Sequence, residues 1–163
     1  MMEGKVLILM GSASDEETMA EAAKVLDGYG IPSRMTVASA HRSPARAQVL
    51  ARSAEKDGYA VIICGAGMAA HLAGCVAAET VLPVIGVPLP GSPLSGLDAL
   101  LSTVQMPAGV PVATVAIGKA GAQNAGHLAA QMLSVSSPGL REKIRARRKA
   151  MAEAVEEAAK GIS

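Results

Sequence analysis

The sequence predicts an α/β protein in which five parallel strands form one sheet between two helical layers. Three observations predict it. Short runs of β-branched and other apolar residues alternate, one by one, with longer Ala-, Glu- and Leu-rich segments of helical spacing. Strict alternation of this kind marks parallel strands joined by right-handed helical crossovers. At 163 residues the chain is the size of one domain with a core of its own. The Gly, Ser and ionisable residues concentrate directly after the first three apolar runs, where an α/β sheet gathers its ligand-facing loops.

The first strand is read at residues 5–10, KVLILM. A helix over 16–29 follows, closed by Gly30 and Pro32, which suit a helix C-terminus. The second strand, 33–37, leads to a helix over 44–56. Ser43 and Pro44 open it as N-cap and first helical residue, and Gly58 closes it. The third strand, 61–64, precedes a helix over 69–80, AAHLAGCVAAET, apolar almost all round and so expected to be covered on every side. The fourth strand, 84–87, and a helix over 94–104 come next, then a fifth strand at 112–117 and a helix over 120–133. A last helix, 138–160, carries Leu140, Ile144, Met151 and Val155 on one stripe among charges. No strand is left for it to cover, so it is expected to pack on a neighbouring subunit. With no repeat and no linker, residues 1–163 read as one domain with this helix appended.

Half of the residues are apolar, yet there is no Phe, no Trp and only two Tyr, so Ala, Val, Leu, Ile and Met must fill the core. Small side chains bury little area each, at roughly 25 cal/mol per Å², which hints that folding continues into an oligomer. A net charge of +1 excludes the basic stripe of a nucleic-acid binder. The basic cluster at 141–149 reads as the solvated face of a helix. No apolar run reaches the ~20 residues of a membrane span. The first eleven residues run straight into a strand pattern without a signal-like leader, so the cytoplasm is the expected compartment. Cys64 and Cys75 read as two buried, reduced thiols. His127 carries no motif, and Lys119 reads as a helix-start residue. Three scattered histidines without acidic neighbours give no metal site, and no cofactor is expected.

In a flavodoxin-like strand order, 2-1-3-4-5, the sheet reverses direction between strands one and three, and ligands bind beyond the strand ends there. The loops at that point read GSASD (11–15), SAHRSP (39–44) and GAGMAAH (65–71). In the first, Ser14 and Glu17 have capping-box spacing. The loop amides and hydroxyls suit an anion or a sugar, whereas Asp15 would repel phosphate and better accepts hydrogen bonds from ribose hydroxyls. In the second, Arg42 offers a forked donor for phosphate and Ser39 a hydroxyl. His41 stands beside Arg42 and a positive helix end, which disfavour imidazolium until a bound anion offsets them; such a His can donate and recover a proton near neutral pH. In the third, the glycines permit close backbone approach, and the run of amides suits a carboxylate or carbon dioxide. His71, alone on an apolar helix, reads from spacing as a satisfied core residue more readily than as a participant.

The ordered segments VLILMGSASD, VASAHRSP, VIICGAGMAAHLAG, LPVIGVPL and IGKAGAQNA resemble the catalytic-subunit family of phosphoribosylaminoimidazole carboxylase, from about residue 5 to 133. The resemblance implies a flavodoxin-like protomer in a homo-octamer with active sites at subunit junctions. It implies an enzyme of de novo purine synthesis acting on a small ribonucleotide, functionally linked to an ATP-dependent synthetase. Of the family's two forms, the mutase moves a carboxyl group from N5 to C4 of carboxyaminoimidazole ribonucleotide, an isomerisation. The other, a lyase, carboxylates aminoimidazole ribonucleotide with free carbon dioxide and resembles SAHKT and AGRSN at the second and third loops. SAHRS and GAGMAAH here favour the mutase. The family's catalytic His maps onto His41 and its second site His onto His71, giving His71 a weight that spacing alone does not. Its substrate-binding residues map onto Ser12, Asp15 and Arg42, with Ser14 and Ser39 nearby; Ala40, Gly65, Ala66, Gly67, Met68 and Leu72 complete the expected set. Ser43 replaces a commoner Thr, and Met68 stands where Gly is common.

Other classes fit less well. A flavin carrier usually sandwiches its flavin between aromatic side chains, and Tyr29 and Tyr59 lie outside the three loops. A phosphorylatable receiver needs an Asp ending strand three, where Cys64 and Gly65 stand. A non-catalytic nucleotide sensor is left to an activity assay.

Overall fold

The computed structural model describes residues 4–162. The strands are β1 (Lys5–Met10), β2 (Ser33–Val37), β3 (Tyr59–Gly67), β4 (Val84–Leu89) and β5 (Ala113–Thr114). The helices are α1 (Glu16–Tyr29), α2 (Pro44–Ser53), α3 (Leu72–Ala77), α4 (Leu97–Val104), α5 (Gly118–Ser134) and α6 (Pro138–Lys160). All neighbouring strands are parallel, in the order β2-β1-β3-β4-β5. The expected flavodoxin-like sandwich is the fold of the protein.

Alternation along β1 divides the core. Val6, Ile8 and Met10 face a layer made by α1 and α5, with Met19, Leu26 and Ala129. Leu7 and Leu9 face α2 and α3, with Ala47, Leu72 and Val76. Most of the helical contribution is alanine or glycine, so the helices sit close to the sheet. Gly65 shows how close. A Cβ there would collide with the end of the Met19 side chain of α1, so a larger residue requires that buried side chain to move.

Three helices are shorter than their patterns predict, each for a local reason. The third starts at Leu72 and not residue 69, because Met68 (φ 56°) and Ala70 (φ 34°) leave the right-handed helical region. The fourth starts at Leu97 and not 94, because Ser95 and Gly96 are left-handed. The second ends at Ser53 and not 56, where the Ser53 hydroxyl donates to Asp57 (2.9 Å) and Gly58 turns the chain at φ 83°. β3 outgrows its pattern, since Ala66 and Gly67 continue to pair with Pro88 and Leu89 of β4. The edge strand β5 is only two residues long and pairs with Ile85 and Gly86 alone.

α3 is not covered on every side within this chain: Leu72, Ala73 and Val76 are buried, but Cys75 is exposed, so only Cys64 is the buried thiol expected. α6 divides in two. Its first turns dock on their own subunit, with Leu140 fully buried, Lys143 Nζ donating to the Tyr29 carbonyl (2.8 Å) and Arg141 to the Ser134 and Val135 carbonyls. Burying Leu140 stabilises this docking by about 2 kcal/mol. Beyond it the helix runs outward, with Met151 and Val155 exposed. No described helix is long and apolar enough to cross a membrane.

Candidate active site

The loops after β1, β2, β3 and β4 enclose a cavity of about 490 Å³ at the point where strand order reverses. It is lined by Gly11, Ser12, Ser14, Asp15, Ser39, His41, Arg42, Gly67, Met68, Ala69, Pro90 and Gly91. A larger hollow of about 590 Å³ lies between α5 and α6 and is lined by none of the three signature loops.

The first loop folds on itself. A 3-10 turn at Ala13–Asp15 precedes α1, and the capping box joins Ser12 and Asp15 rather than Ser14 and Glu17. The Ser12 amide donates to Asp15 Oδ2 (3.0 Å), and the Ser14 hydroxyl donates to Ser12 Oγ (2.9 Å). Asp15 therefore faces the cavity held from behind. Burial raises its carboxyl above the ordinary carboxylate range, against the lowering influence of Ser12, Ser14 and the Arg42 charge.

In the second loop Ser43 occupies the N-cap position with Pro44 after it, yet its hydroxyl makes no capping bond to the helix. It accepts instead from the Ser39 amide (3.1 Å) and donates to the Ser39 carbonyl (3.2 Å), closing residues 39–43 into a rigid loop. Ser39 is buried and accepts from the Arg42 amide (3.2 Å) and Nε (3.4 Å). Arg42 Nη2 reaches across to the Gly11 carbonyl (2.9 Å), tying the first two loops together. No carboxylate among the described residues lies within ion-pair distance of Arg42, and its remaining N–H groups are free for an anion.

His41 and His71 meet. His41 Nε2 lies 2.6 Å from His71 Nδ1, with the two rings edge to face at 80°. The contact joins the second loop to the residue that precedes α3, and both imidazoles are exposed at the cavity mouth. Spacing gives no sign of this pair, thirty residues apart; the parallel placement of β2 and β3 on either side of β1 brings it about. Each ring keeps one nitrogen free, Nδ1 on His41 and Nε2 on His71.

The other expected residues are placed as follows. Gly67 and Met68 line the cavity. Gly65 and Ala66 belong to β3, where the Gly65 carbonyl accepts from the Gly11 amide (2.9 Å) and helps seat the first loop. Ala40 borders a separate hollow beside Cys75. Leu72 turns into the core and supports the third loop from below. Pro90 and Gly91, after β4, line the cavity without having been singled out from sequence; the Pro- and Gly-rich run PLPGSP at a strand end is the signal that could have found them. His127 lies apart, bonded to the Tyr29 hydroxyl (3.0 Å); burial, with the charges of Arg147 and Arg148, holds it below the usual imidazole range. Lys119 is exposed in the first turn of α5, 3.8 Å from Glu21. Among the described residues no group of three or more His, Cys, Asp or Glu side chains is placed to hold a metal.

The family model for AIR carboxylase matches residues 5–154, nearly the whole described chain. The chain belongs to the AIR carboxylase family. Relatives in the family agree. The N5-carboxyaminoimidazole ribonucleotide mutase of Pyrococcus horikoshii is 54% identical over 155 residues, covering 95% of this chain and 86% of that protein. That of Escherichia coli K12 is 50% identical over 151 residues (93% and 89%), and that of Bacillus subtilis 54% over 147 residues (90% and 91%). Among solved structures, PurE of Treponema denticola superposes with a TM-score of 0.87 at 26% identity, covering 97% of this chain and 98% of that one. The likeness to the AIR carboxylase family thus extends over essentially all of this chain.

Proposed function

We propose that this chain catalyses the isomerisation of N5-carboxyaminoimidazole ribonucleotide to 4-carboxyaminoimidazole ribonucleotide in purine synthesis. The observation that carries the reading is the His41–His71 pair at the mouth of a cavity that also holds an unpaired guanidinium. Relatives named as mutases at 50–54% identity support the same reaction.

Arg42 and Ser39 hold the ribonucleotide phosphate, and Asp15 with Ser12 and Ser14 accepts the ribose hydroxyls. The His–His contact supports a scheme in which His41 carries the working proton. If His41 Nε2–H donates to His71 Nδ1 throughout, only His41 Nδ1 changes state. The reaction starts from the His41 imidazolium. Nδ1 gives its proton to N5 as the N5–carboxyl bond breaks, which releases carbon dioxide and leaves a neutral aminoimidazole. C4 attacks the carbon dioxide, the carbon–carbon bond forms, and the now basic Nδ1 takes the C4 proton. His41 ends as it began, and no cofactor enters. His71 is a positioning residue in this scheme. Holding carbon dioxide beside C4 is the principal lever, since well-oriented partners gain about 7–11 kcal/mol over free encounter.

The finer expectations follow. The working form is a cytoplasmic homo-octamer supplied by an ATP-dependent synthetase. Support for assembly comes from the exposed apolar residues Leu97, Leu101 and Val104 of α4 and Leu94 just before it, together with Met151 and Val155 of α6.

The deciding experiment offers each ribonucleotide separately, without ATP and at low bicarbonate, and follows 4-carboxyaminoimidazole ribonucleotide. Product from the N5-carboxylated substrate alone is expected. Product from unsubstituted aminoimidazole ribonucleotide and carbon dioxide alone would make the chain a direct carboxylase instead.

A further inference from the structure

Met68 presents a conflict that the reaction scheme leaves unused. Its backbone sits at φ 56°, in the left-handed region where glycine is at ease and a longer residue is strained. The strain serves no core, because the side chain is 61% exposed. It lies against the same cavity as His41 and Asp15. A strained residue at a ligand cavity, whose side chain supports no packing, points to a use at that cavity.

Strand order separates the cavity wall by chemistry. Loops on the β1 and β2 side supply hydroxyls, a carboxylate and a guanidinium, whereas the β3 and β4 side supplies only Gly67, Met68, Ala69, Pro90 and Gly91. Among these five, Met68 alone has a long flexible side chain, unbranched and with three rotatable bonds. It lies in the turn closed by the Ala70 amide on the Gly67 carbonyl (3.1 Å), which leads directly to His71 and the His41–His71 pair.

We infer that Met68 is a specificity-determining residue that caps the apolar half of the cavity and keeps released carbon dioxide from water until C4 captures it. This rests on the mutase reading above. Carbon dioxide carries no charge and no hydrogen-bond donor, so an apolar lid retains it while the polar half grips the ribonucleotide. Glycine at this position would relax the backbone and remove the lid.

The test compares the wild-type chain with Met68→Gly and Met68→Leu. Each is given N5-carboxyaminoimidazole ribonucleotide in buffer containing 13C-bicarbonate and carbonic anhydrase. Mass spectrometry then reads the label in the product and the free aminoimidazole ribonucleotide formed per product. Wild-type and Met68→Leu chains are expected to show little of either. Met68→Gly should raise both by at least about threefold, with an unchanged oligomeric mass and an equal or higher Tm, since left-handed strain is relieved. Equal ratios in Met68→Gly and wild type overturn the inference, as does leakage from Met68→Leu matching that from Met68→Gly. Dissociation of Met68→Gly into smaller species would make Met68 an assembly contact and also overturn it. A wild-type chain that forms no product defeats the mutase reading, and the inference with it; the ratios distinguish the two failures because they are read per product formed.

Discussion

The His41–His71 contact predicts two different losses. His41→Asn should still bind ribonucleotide while kcat falls by about 10²-fold or more, the usual range for a lost general acid–base. Near-normal turnover would refute the assignment. In the proposed scheme, His71→Ala removes the ring nitrogen that pairs with His41 Nε2 and positions it. About a ten- to hundredfold loss in kcat is expected, with KM little changed and the pH–rate profile displaced. Asp15 adds a pH dependence of stability. Its carboxyl is raised in the fold, chiefly by burial, and ordinary in the unfolded chain. The native state therefore binds more protons between those two values, and stability falls as pH climbs through that window. At neutral pH the ionised side chain is a burden to the fold. Asp15→Asn should melt at an equal or higher temperature at pH 7.5, an advantage that shrinks as pH falls through that window and is gone below about pH 4. Its KM should rise by roughly tenfold, the effect of losing a hydrogen bond to a charged acceptor. Thermal scans at the two pH values and a substrate titration check both halves.

The elements show how close packing sets the site. α1 carries the first loop, and its Met19 side chain fills the space that Gly65 of β3 leaves open. Gly65→Ala should destabilise the fold by about 1–3 kcal/mol, as overpacking does, measured by urea unfolding. Most strands and helices were legible in the sequence because period and composition agree. Lys5–Met10, Ser33–Val37, Glu16–Tyr29 and Pro138–Lys160 fall where the pattern puts them. The starts of α3 and α4 did not, because Met68, Ala70 and Ser95 adopt left-handed backbone that their side chains give no reason to expect. The site divides in the same way. The three loops and Arg42 were readable from strand order and charge, whereas the closure of Ser39 on Ser43 and the meeting of the two imidazoles depend on tertiary placement. On α4, the exposed leucines offer a face with nothing over it in the protomer. Leu97→Glu combined with Leu101→Glu should preserve helical circular dichroism while reducing the mass seen by light scattering. An unchanged mass would show that this stripe is not an assembly surface.

At the scale of the molecule, the outer half of α6 stands clear of its own protomer, with Met151 and Val155 exposed. Deleting residues 150–162 leaves Leu140 and the Lys143 and Arg141 bonds in place, so the protomer should stay folded while its assembly weakens. Truncation at Pro138 removes the buried leucine too and should lower Tm as well. Comparing the two separates folding from association, which a single truncation cannot do. Cys75 offers an independent report on the same question. Cys64 lies sealed in the sheet, and its thiol is pushed far above the usual range by burial, which leaves Cys75 as the chain's accessible sulfhydryl. Its amide donates to the His71 carbonyl (2.9 Å), one helical turn from the paired rings. An environment-sensitive fluorophore attached there would need no engineered cysteine. Its labelling rate at high and low protein concentration would tell whether partners occlude α3, and its emission would respond as substrate settles beside the imidazoles.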